Sequence, residues 1–225
     1  MRGALLAAAL MLPAPAGAAC KLALVLGLDV SSSVDAEEYR LQIGGLAHAF
    51  RTEEVQDAIL QPRGFGIAVH VFEWSSRYHQ TEIAGWTMLD SAAAIEALAD
   101  RLDAHRRSRA DGSTAVGDAL EHAVERFASA PDCQRRTVDL SGDGVTNQGP
   151  SPSRLAERGA LEGITVNGLA VTSAHPGVLY HYRAHVIHGE DAFVQVAGDF
   201  EDYPEAIRAK LLREIGTPFV LGASE

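Results

Sequence analysis

The stretch Asp29-Val-Ser-Ser-Ser33, together with the run Lys21-Leu-Ala-Leu-Val-Leu-Gly-Leu28 that precedes it, decides the fold. Residues 21–28 are almost all apolar, which is typical of a parallel strand buried on both faces. One carboxylate and three hydroxyls follow the run at once. An abrupt change from apolar to oxygen-bearing side chains predicts the end of a central strand, with a polar site beyond it.

Two further clusters of side-chain oxygens lie downstream. They are Gly112-Ser-Thr-Ala115 and Ser141-Gly-Asp-Gly144, and the second ends another apolar run. Oxygen donors of Asp, Ser and Thr are hard ligands that suit Mg²⁺, Mn²⁺ or Ca²⁺ and are poor for zinc or copper. In open α/β sheets ligands bind beyond the carboxyl ends of the strands, where the strand order reverses. We therefore expect Asp29, Thr114 and Asp143 to meet there.

The alternation of strand and helix patterns predicts a doubly wound α/β fold. The sheet is mostly parallel, with helices on both faces and one antiparallel edge strand. The predicted strands are residues 21–28, 65–74, 78–85 (the antiparallel strand), 136–141, 164–171 and 192–197. The predicted helices are residues 35–50, 52–60, 90–105, 114–129 (capped by Gly112-Ser-Thr114), 151–162 and 199–215. Residues 172–189 give no clear pattern.

The spaced oxygens resemble a known metal site. Asp29-x-Ser31-x-Ser33, then Thr114, then Asp143 is similar to the metal-ion-dependent adhesion site of von Willebrand factor type A domains. The resemblance implies that these five residues bind one Mg²⁺, or Mn²⁺ or Ca²⁺ in its place. It also implies divalent-cation-dependent binding of a partner protein that offers a carboxylate to the metal. The sequence does not identify the partner or the ion.

Longer segments resemble one group of such proteins more closely. The segments Glu73-Trp74, Val138-Asp-Leu-Ser-Gly-Asp-Gly-Val-Thr-Asn-Gln148 and Asp199-Phe-Glu-Asp-Tyr-Pro-Glu-Ala-Ile-Arg208 are similar to an uncharacterised family of exported bacterial proteins built on this domain. The resemblance implies a fold and a site without an established function. Ser113 stands where many members have glycine.

The first nineteen residues have the pattern of an export signal. Arg2 is followed by the apolar stretch Ala4 to Leu12 and then by small residues up to Ala19, with cleavage expected after Ala18 or Ala19. Residues 20–225 are then a single domain in the periplasm or outside the cell, and none of its stretches is apolar enough for an integral membrane segment. A lipid anchor on Cys20 is an alternative, although Gly17 stands where such signals usually have leucine.

The charge of the chain restricts its partners. The formal net charge is −11 over 225 residues, which argues against nucleic acid and against anionic membranes. Residues 101–109 contain four arginines in this acidic background. We interpret them as a solvated helix end and loop.

The two cysteines predict one disulfide. Cys20 lies nine residues before Asp29, and Cys133 lies ten residues before Asp143. If both aspartates end neighbouring parallel strands, both cysteines start them, about 4.8 Å apart. Disulfides need Cα atoms about 4.4–6.8 Å apart. An even cysteine count in an exported chain also favours the pairing.

Three other functions can be compared with single features of the sequence. Asp29 could be a nucleophile, as in phosphotransferases with an aspartate after the first strand. Such enzymes have an Asp-x-Asp motif, however, and in this chain Ser31 stands in place of the second aspartate. The sequence Leu140-Ser-Gly-Asp-Gly144 lacks the spacing of a serine hydrolase elbow. We therefore expect no enzymatic activity. A bound metal with a purely structural role is the third alternative.

A zinc site is conceivable in the segment with no clear pattern. The histidines in question are His175, His181, His185 and His188. A spacing of four places two imidazoles on one helical face. However, Pro176 and Gly189 flank the segment, and no carboxylate motif of a zinc protease accompanies it. We interpret these side chains as surface or packing histidines.

Overall fold

A six-stranded sheet forms the centre of the computed structural model, which describes residues 18–108 and 112–216. The strands are β1 (Ala19–Asp29), β2 (Phe65–Trp74), β3 (Gln80–Leu89), β4 (Arg136–Gly142), β5 (Thr165–Val171) and β6 (Val194–Ala197). They lie in the order β3-β2-β1-β4-β5-β6, and every pair is parallel except β2 with β3. The predicted fold class is confirmed. The order reverses between β1 and β4, so these strands flank the expected ligand position.

The helices pack on both faces of the sheet. They are α1 (Ala36–Arg51), α2 (Glu53–Leu60), α3 (Ala92–Ala104), α4 (Val116–Arg126), α5 (Ser153–Glu157), α6 (Val178–His181) and α7 (Tyr203–Gly216). A 3₁₀ turn (Phe127–Ser129) follows α4, and a π-helical turn (Tyr182–Val186) continues α6. The start of α1 is a capping box, in which Asp35 accepts from the Glu37 and Glu38 amides and Glu38 accepts from the Asp35 amide.

The strand alternation divides the core into two layers. Even-numbered residues of β1, such as Leu24 and Leu26, pack with α1, α3 and α7. Odd-numbered residues, such as Val25, pack with α4 and with Tyr182. Because both faces of β1 are covered by helices, residues 22–28 of the strand are all apolar, as the sequence predicts.

Four predicted boundaries are wrong. The helix predicted over 151–162 ends at Glu157, because the chain turns at Gly159 with a φ of 74°. Residues 112–114 do not cap α4, which begins at Val116 without a side-chain cap. The antiparallel strand runs to Leu89 and not to residue 85. The last helix begins at Tyr203 and not at residue 199.

The predicted disulfide is present. Cys20 and Cys133 are bonded, with their Cα atoms 4.5 Å apart. Cys20 lies in β1, and Cys133 pairs with it as an isolated parallel bridge just before β4. Because Cys20 is bonded to Cys133, its thiol is not available to carry a lipid. The predicted export signal lies almost wholly outside the described residues. Across 18–108 and 112–216, no helix is long and apolar enough to cross a membrane.

Candidate metal centre

Asp29 ends β1 in full burial. Its Oδ1 accepts a hydrogen bond of 2.7 Å from the Ser31 amide, which turns the loop tightly around the carboxylate. Its Oδ2 is buried and has no hydrogen-bond partner. The same loop places the Ser31 and Ser33 hydroxyls 3.2 Å apart. Three of the predicted ligands therefore converge within one turn of chain.

Asp143 follows β4 directly and faces the same loop. The Ser33 hydroxyl donates to Asp143 Oδ1 at 2.7 Å, and Asp143 Oδ2 is buried without a partner. This contact joins residues from two neighbouring parallel strands. The structure therefore brings the first and third predicted clusters together at the position where the strand order reverses.

Thr114 reaches the site from the loop before α4. Its amide donates to Asn147 Oδ1 at 2.8 Å, and its carbonyl accepts from the Asn147 amide at 2.9 Å. A methyl group on Gly144 would lie 3.4 Å from the Thr114 hydroxyl oxygen. The loop after Asp143 thus fixes Thr114, which lines one cleft together with Ser33 and Asp143.

A cleft of about 190 Å³ opens above these residues. Its lining comprises Ser32, Ser33, Gly112, Thr114, Asp143, Gly144, Val145, Asn147, Ala174 and His175. Asp29 and Ser31 lie in the buried layer and not in the lining. The cleft is smaller than the 300–1,000 Å³ typical of small-molecule sites.

Electrostatics favour a cation at this position. Burial, followed by the negative charge of Asp143, raises the pKa of Asp29 to about 7. Burial also raises the pKa of Asp143. Two desolvated carboxylates with unpartnered oxygens, surrounded by hydroxyls, form a hard-donor set that fits an ion of the Mg²⁺ class. A cation between them would offset both the desolvation and the mutual repulsion.

A buried network that the sequence did not reveal supports the first loop. Glu73, near the end of β2, accepts from the Tyr39 hydroxyl and from the Ser108 amide. Arg107 donates to the carbonyls of Val30 at 3.0 Å and Ser31 at 3.2 Å. The interpretation of the arginine-rich stretch as solvated is therefore wrong for Arg107, which holds the Asp29–Ser33 loop. The one available signal in the sequence was the carboxylate of Glu73 in a strand whose other residues, apart from His70, are apolar.

The four histidines do not assemble a zinc site. Over the described residues, no three His, Cys, Asp or Glu side chains are grouped to hold a metal. His181 Nε2 lies 3.0 Å from the Thr146 hydroxyl and accepts from the Thr146 amide at 3.3 Å. His175 accepts from the Gly177 amide, and His188 pairs through its backbone with Val166. The interpretation as packing and surface histidines agrees with these contacts.

The position of Asp29 also bears on the nucleophile alternative. The side chain is fully buried, and its Oδ1 accepts from the Ser31 amide. A nucleophile must come within contact distance of its substrate. The described geometry gives Asp29 no such exposure, which disfavours the phosphotransferase-like mechanism.

Comparison with known proteins agrees with this geometry. The model of a family described as "Protein of unknown function (DUF1194)" matches residues 19–219. The chain belongs to this family. A search of functionally curated proteins gave no match to this DUF1194 protein.

Solved structures similar to this DUF1194 protein include von Willebrand factor type A domains. One is a von Willebrand factor type A protein from Catenulispora acidiphila, 17% identical, with a TM-score of 0.62 over 88% of this chain and 43% of that one. Another is proximal thread matrix protein 1 from the mussel byssus with a zinc-occupied MIDAS motif, 18% identical, with a TM-score of 0.61 over 88% and 47%. A third is the pilus adhesin SpaC of Lactobacillus rhamnosus GG, 16% identical, with a TM-score of 0.60 over 88% and 30%.

These similarities establish the fold. The DUF1194 chain spans less than half the length of each of the three proteins. At identities below 20% the similarity shows the fold alone and not the ligands of the site. The predicted von Willebrand factor type A architecture is confirmed, and the ligand set remains a prediction supported by the geometry.

Proposed function

We propose that this protein binds one divalent cation of the Mg²⁺ class through Asp29, Ser31, Ser33, Thr114 and Asp143, and that it uses this site to bind a partner protein. One observation carries the proposal. Two buried carboxylates on neighbouring strands each leave one oxygen unpartnered, beside hydroxyls of the same loops. In the absence of a cation this arrangement is costly, because desolvated charges repel each other.

The five proposed ligands contribute two kinds of oxygen. Asp29 and Asp143 supply negative charge, and Ser31, Ser33 and Thr114 supply neutral oxygens. When bound, the cation supplies a positive charge with an open position that a partner's carboxylate can occupy. The small cleft above Asp143 admits a single side chain. This supports capture of a protein side chain and not turnover of a small substrate.

We further propose that the protein acts in the periplasm or outside the cell. The disulfide between Cys20 and Cys133 supports an oxidising compartment. The export-signal pattern of residues 1–19 supports the same location. Adhesion by a pilus protein of similar fold is compatible with this setting.

A structural role for the metal is the second candidate, because Asp29 is completely buried. The two roles differ in what depends on the ion. A structural ion changes only stability, whereas a capturing ion is needed for partner binding.

A pull-down from the native cell envelope separates the two candidates. The tagged, disulfide-bonded protein is incubated with the envelope fraction in Mg²⁺ or in chelator. Ser33→Ala removes a proposed ligand, and Ser32→Ala removes a neighbouring hydroxyl that donates to the Gly112 carbonyl. We expect a partner that is retained in Mg²⁺ by wild type and Ser32→Ala, and lost with chelator or in Ser33→Ala. Equal retention in Mg²⁺ and chelator would contradict metal-mediated capture.

A further inference from the structure

Tyr182 lies beneath the candidate metal centre, in a space that is open because two neighbouring strand residues are glycines. The side chain is fully buried, on the π-helical turn that continues α6. Its ring crosses β5 at Gly168, where a methyl group would lie 2.3 Å from Tyr182 Cδ1. Its hydroxyl reaches β4 at Gly142, where a methyl group would lie 2.6 Å away. Any larger residue at either position would displace the ring.

The hydroxyl of Tyr182 and Oδ2 of Asp29 both lie close to the backbone of Gly142. The methyl position on Gly142 lies 2.9 Å from Asp29 Oδ2 and 2.6 Å from the Tyr182 hydroxyl oxygen, so both oxygens border the same small space. Both oxygens are buried, and neither has a hydrogen-bond partner. Two unsatisfied polar atoms in one buried place are unusual in native proteins, and they are commonly joined directly or through one water.

The hydroxyl can act only as a donor toward this carboxylate. A tyrosine hydroxyl, with an ordinary pKa of about 10, carries its proton at neutral pH. Asp29 Oδ2, as a carboxylate oxygen, accepts.

The neighbouring residue ties the same helical segment to the other loop. His181 accepts from the Thr146 amide, three residues after Asp143. The segment 181–182 thus approaches both carboxylate loops from one side. π-Helical turns are frequent at functional sites.

We propose that Tyr182 is a positioning residue for the metal centre, whose hydroxyl donates to Asp29 Oδ2 through one bridging water, since no direct hydrogen bond joins the two oxygens, and fixes the orientation of that carboxylate. The inference rests on the proposed function, because it concerns cation binding at Asp29. Outer-shell hydrogen bonds that orient metal ligands contribute about 10–100-fold to metal affinity.

The test compares two buried tyrosines that each lose one hydroxyl. Tyr182→Phe keeps the ring in its glycine-lined position. Tyr203→Phe is the matched control, because Tyr203 is also fully buried and its hydroxyl lies 3.0 Å from Ser141 Oγ, which is not a proposed ligand. Titration calorimetry measures Mg²⁺ and Ca²⁺ affinity for each protein, and thermal melting in chelator confirms that each variant is folded.

We expect Tyr182→Phe to weaken Mg²⁺ binding about tenfold and Ca²⁺ binding less, because Mg²⁺ demands near-octahedral ligands and Ca²⁺ tolerates irregular ones. Tyr203→Phe should bind both ions as wild type does. Wild-type affinity in folded Tyr182→Phe, or an equal loss in Tyr203→Phe, would overturn the positioning role while leaving the metal site intact. Absence of binding in wild type would overturn both the positioning role and the proposed function.

Discussion

At the scale of single residues, the candidate metal centre depends on two carboxylates whose charged form is disfavoured by burial. Asp29 and Asp143 are both buried, and each retains an oxygen without a partner. Glu73 is buried as well, but it is satisfied by Tyr39 and Ser108. The unpartnered oxygens of Asp29 and Asp143 leave donor atoms for a cation, whereas the hydrogen-bonded oxygens of Glu73 support the structure.

Glu73→Gln tests this structural role. The amide keeps only one acceptor oxygen where the carboxylate has two, so it cannot serve the Tyr39 hydroxyl, the Ser108 amide and His105 Nε2, which lies 3.1 Å from Glu73 Oε1, as Glu73 does. We expect a loss of about 2 kcal/mol in the free energy of unfolding, as for a buried group left partly unsatisfied. Urea denaturation measures it. Unchanged stability would show that the Glu73 contacts do not hold the 105–108 segment.

His122 gives the fold a pH dependence of known sign. Burial, followed by the charges of Arg126 and His70, lowers the pKa of His122 to about 4, against 6.5 in a model peptide. Between these values the unfolded chain binds a proton at this position and the folded chain does not, so this contribution to stability is lost as the pH falls from 6.5 toward 4. We expect His122→Gln to flatten the decline of unfolding free energy in that window. Parallel profiles for wild type and variant would refute the assignment.

At the scale of elements, helix α4 packs tightly against the loop after Asp143. A methyl group on Gly117 of α4 would lie 2.1 Å from the Pro150 carbonyl oxygen. The same loop carries Asn147, which holds Thr114 through two hydrogen bonds. A change in this contact should therefore reach the candidate metal centre.

A pair of glycine substitutions tests the contact. Gly117→Ala should lower the unfolding free energy by about 1–3 kcal/mol, the range for overpacking, and weaken Mg²⁺ binding. Gly44→Ala in α1 is the control, since a methyl group there would meet nothing within 4 Å. It should raise stability by about 0.5–1 kcal/mol. Equal effects of the two substitutions would show that α4 is not tightly packed on the loop.

The elements also show which features could be predicted from the sequence. The apolar pattern of β1 and the Asp35-x-x-Glu38 spacing typical of a capping box are local in the sequence, and the structure contains both features. The placement of Tyr182 and the contact of Arg107 with Ser31 are not local, because their partners lie far away in the chain. The predicted cap at Thr114 is wrong for the same reason, since its amide bonds to Asn147.

At the scale of the whole molecule, the disulfide and the metal centre lie at opposite ends of the same two strands. Cys20 and Cys133 join the starts of β1 and β4, and Asp29 and Asp143 follow their ends. The covalent bond thus fixes the pairing of the strands that carry both carboxylates. It does so without touching the site itself.

Removal of the disulfide tests this arrangement. The cysteines are 113 residues apart, and closing a loop of roughly 100 residues is worth up to about 4.7 kcal/mol in the chain-entropy model. The double variant Cys20→Ser, Cys133→Ser should lose about 3–5 kcal/mol of unfolding free energy and keep its Mg²⁺ affinity while folded. Thiol counting on unfolded, unreduced wild type should find no free thiol. Two free thiols would contradict the disulfide.

The most direct test of a cation held by Asp29 and Asp143 is the melting temperature with and without the ion. A ligand that binds only the folded state stabilises it by about 2.7 kcal/mol at one hundred times its Kd. Wild type should therefore melt several degrees higher in excess Mg²⁺ than in chelator, whereas Asp143→Asn should melt at the same temperature in both. A wild-type melting temperature that does not change with Mg²⁺, Mn²⁺ or Ca²⁺ would contradict the metal centre.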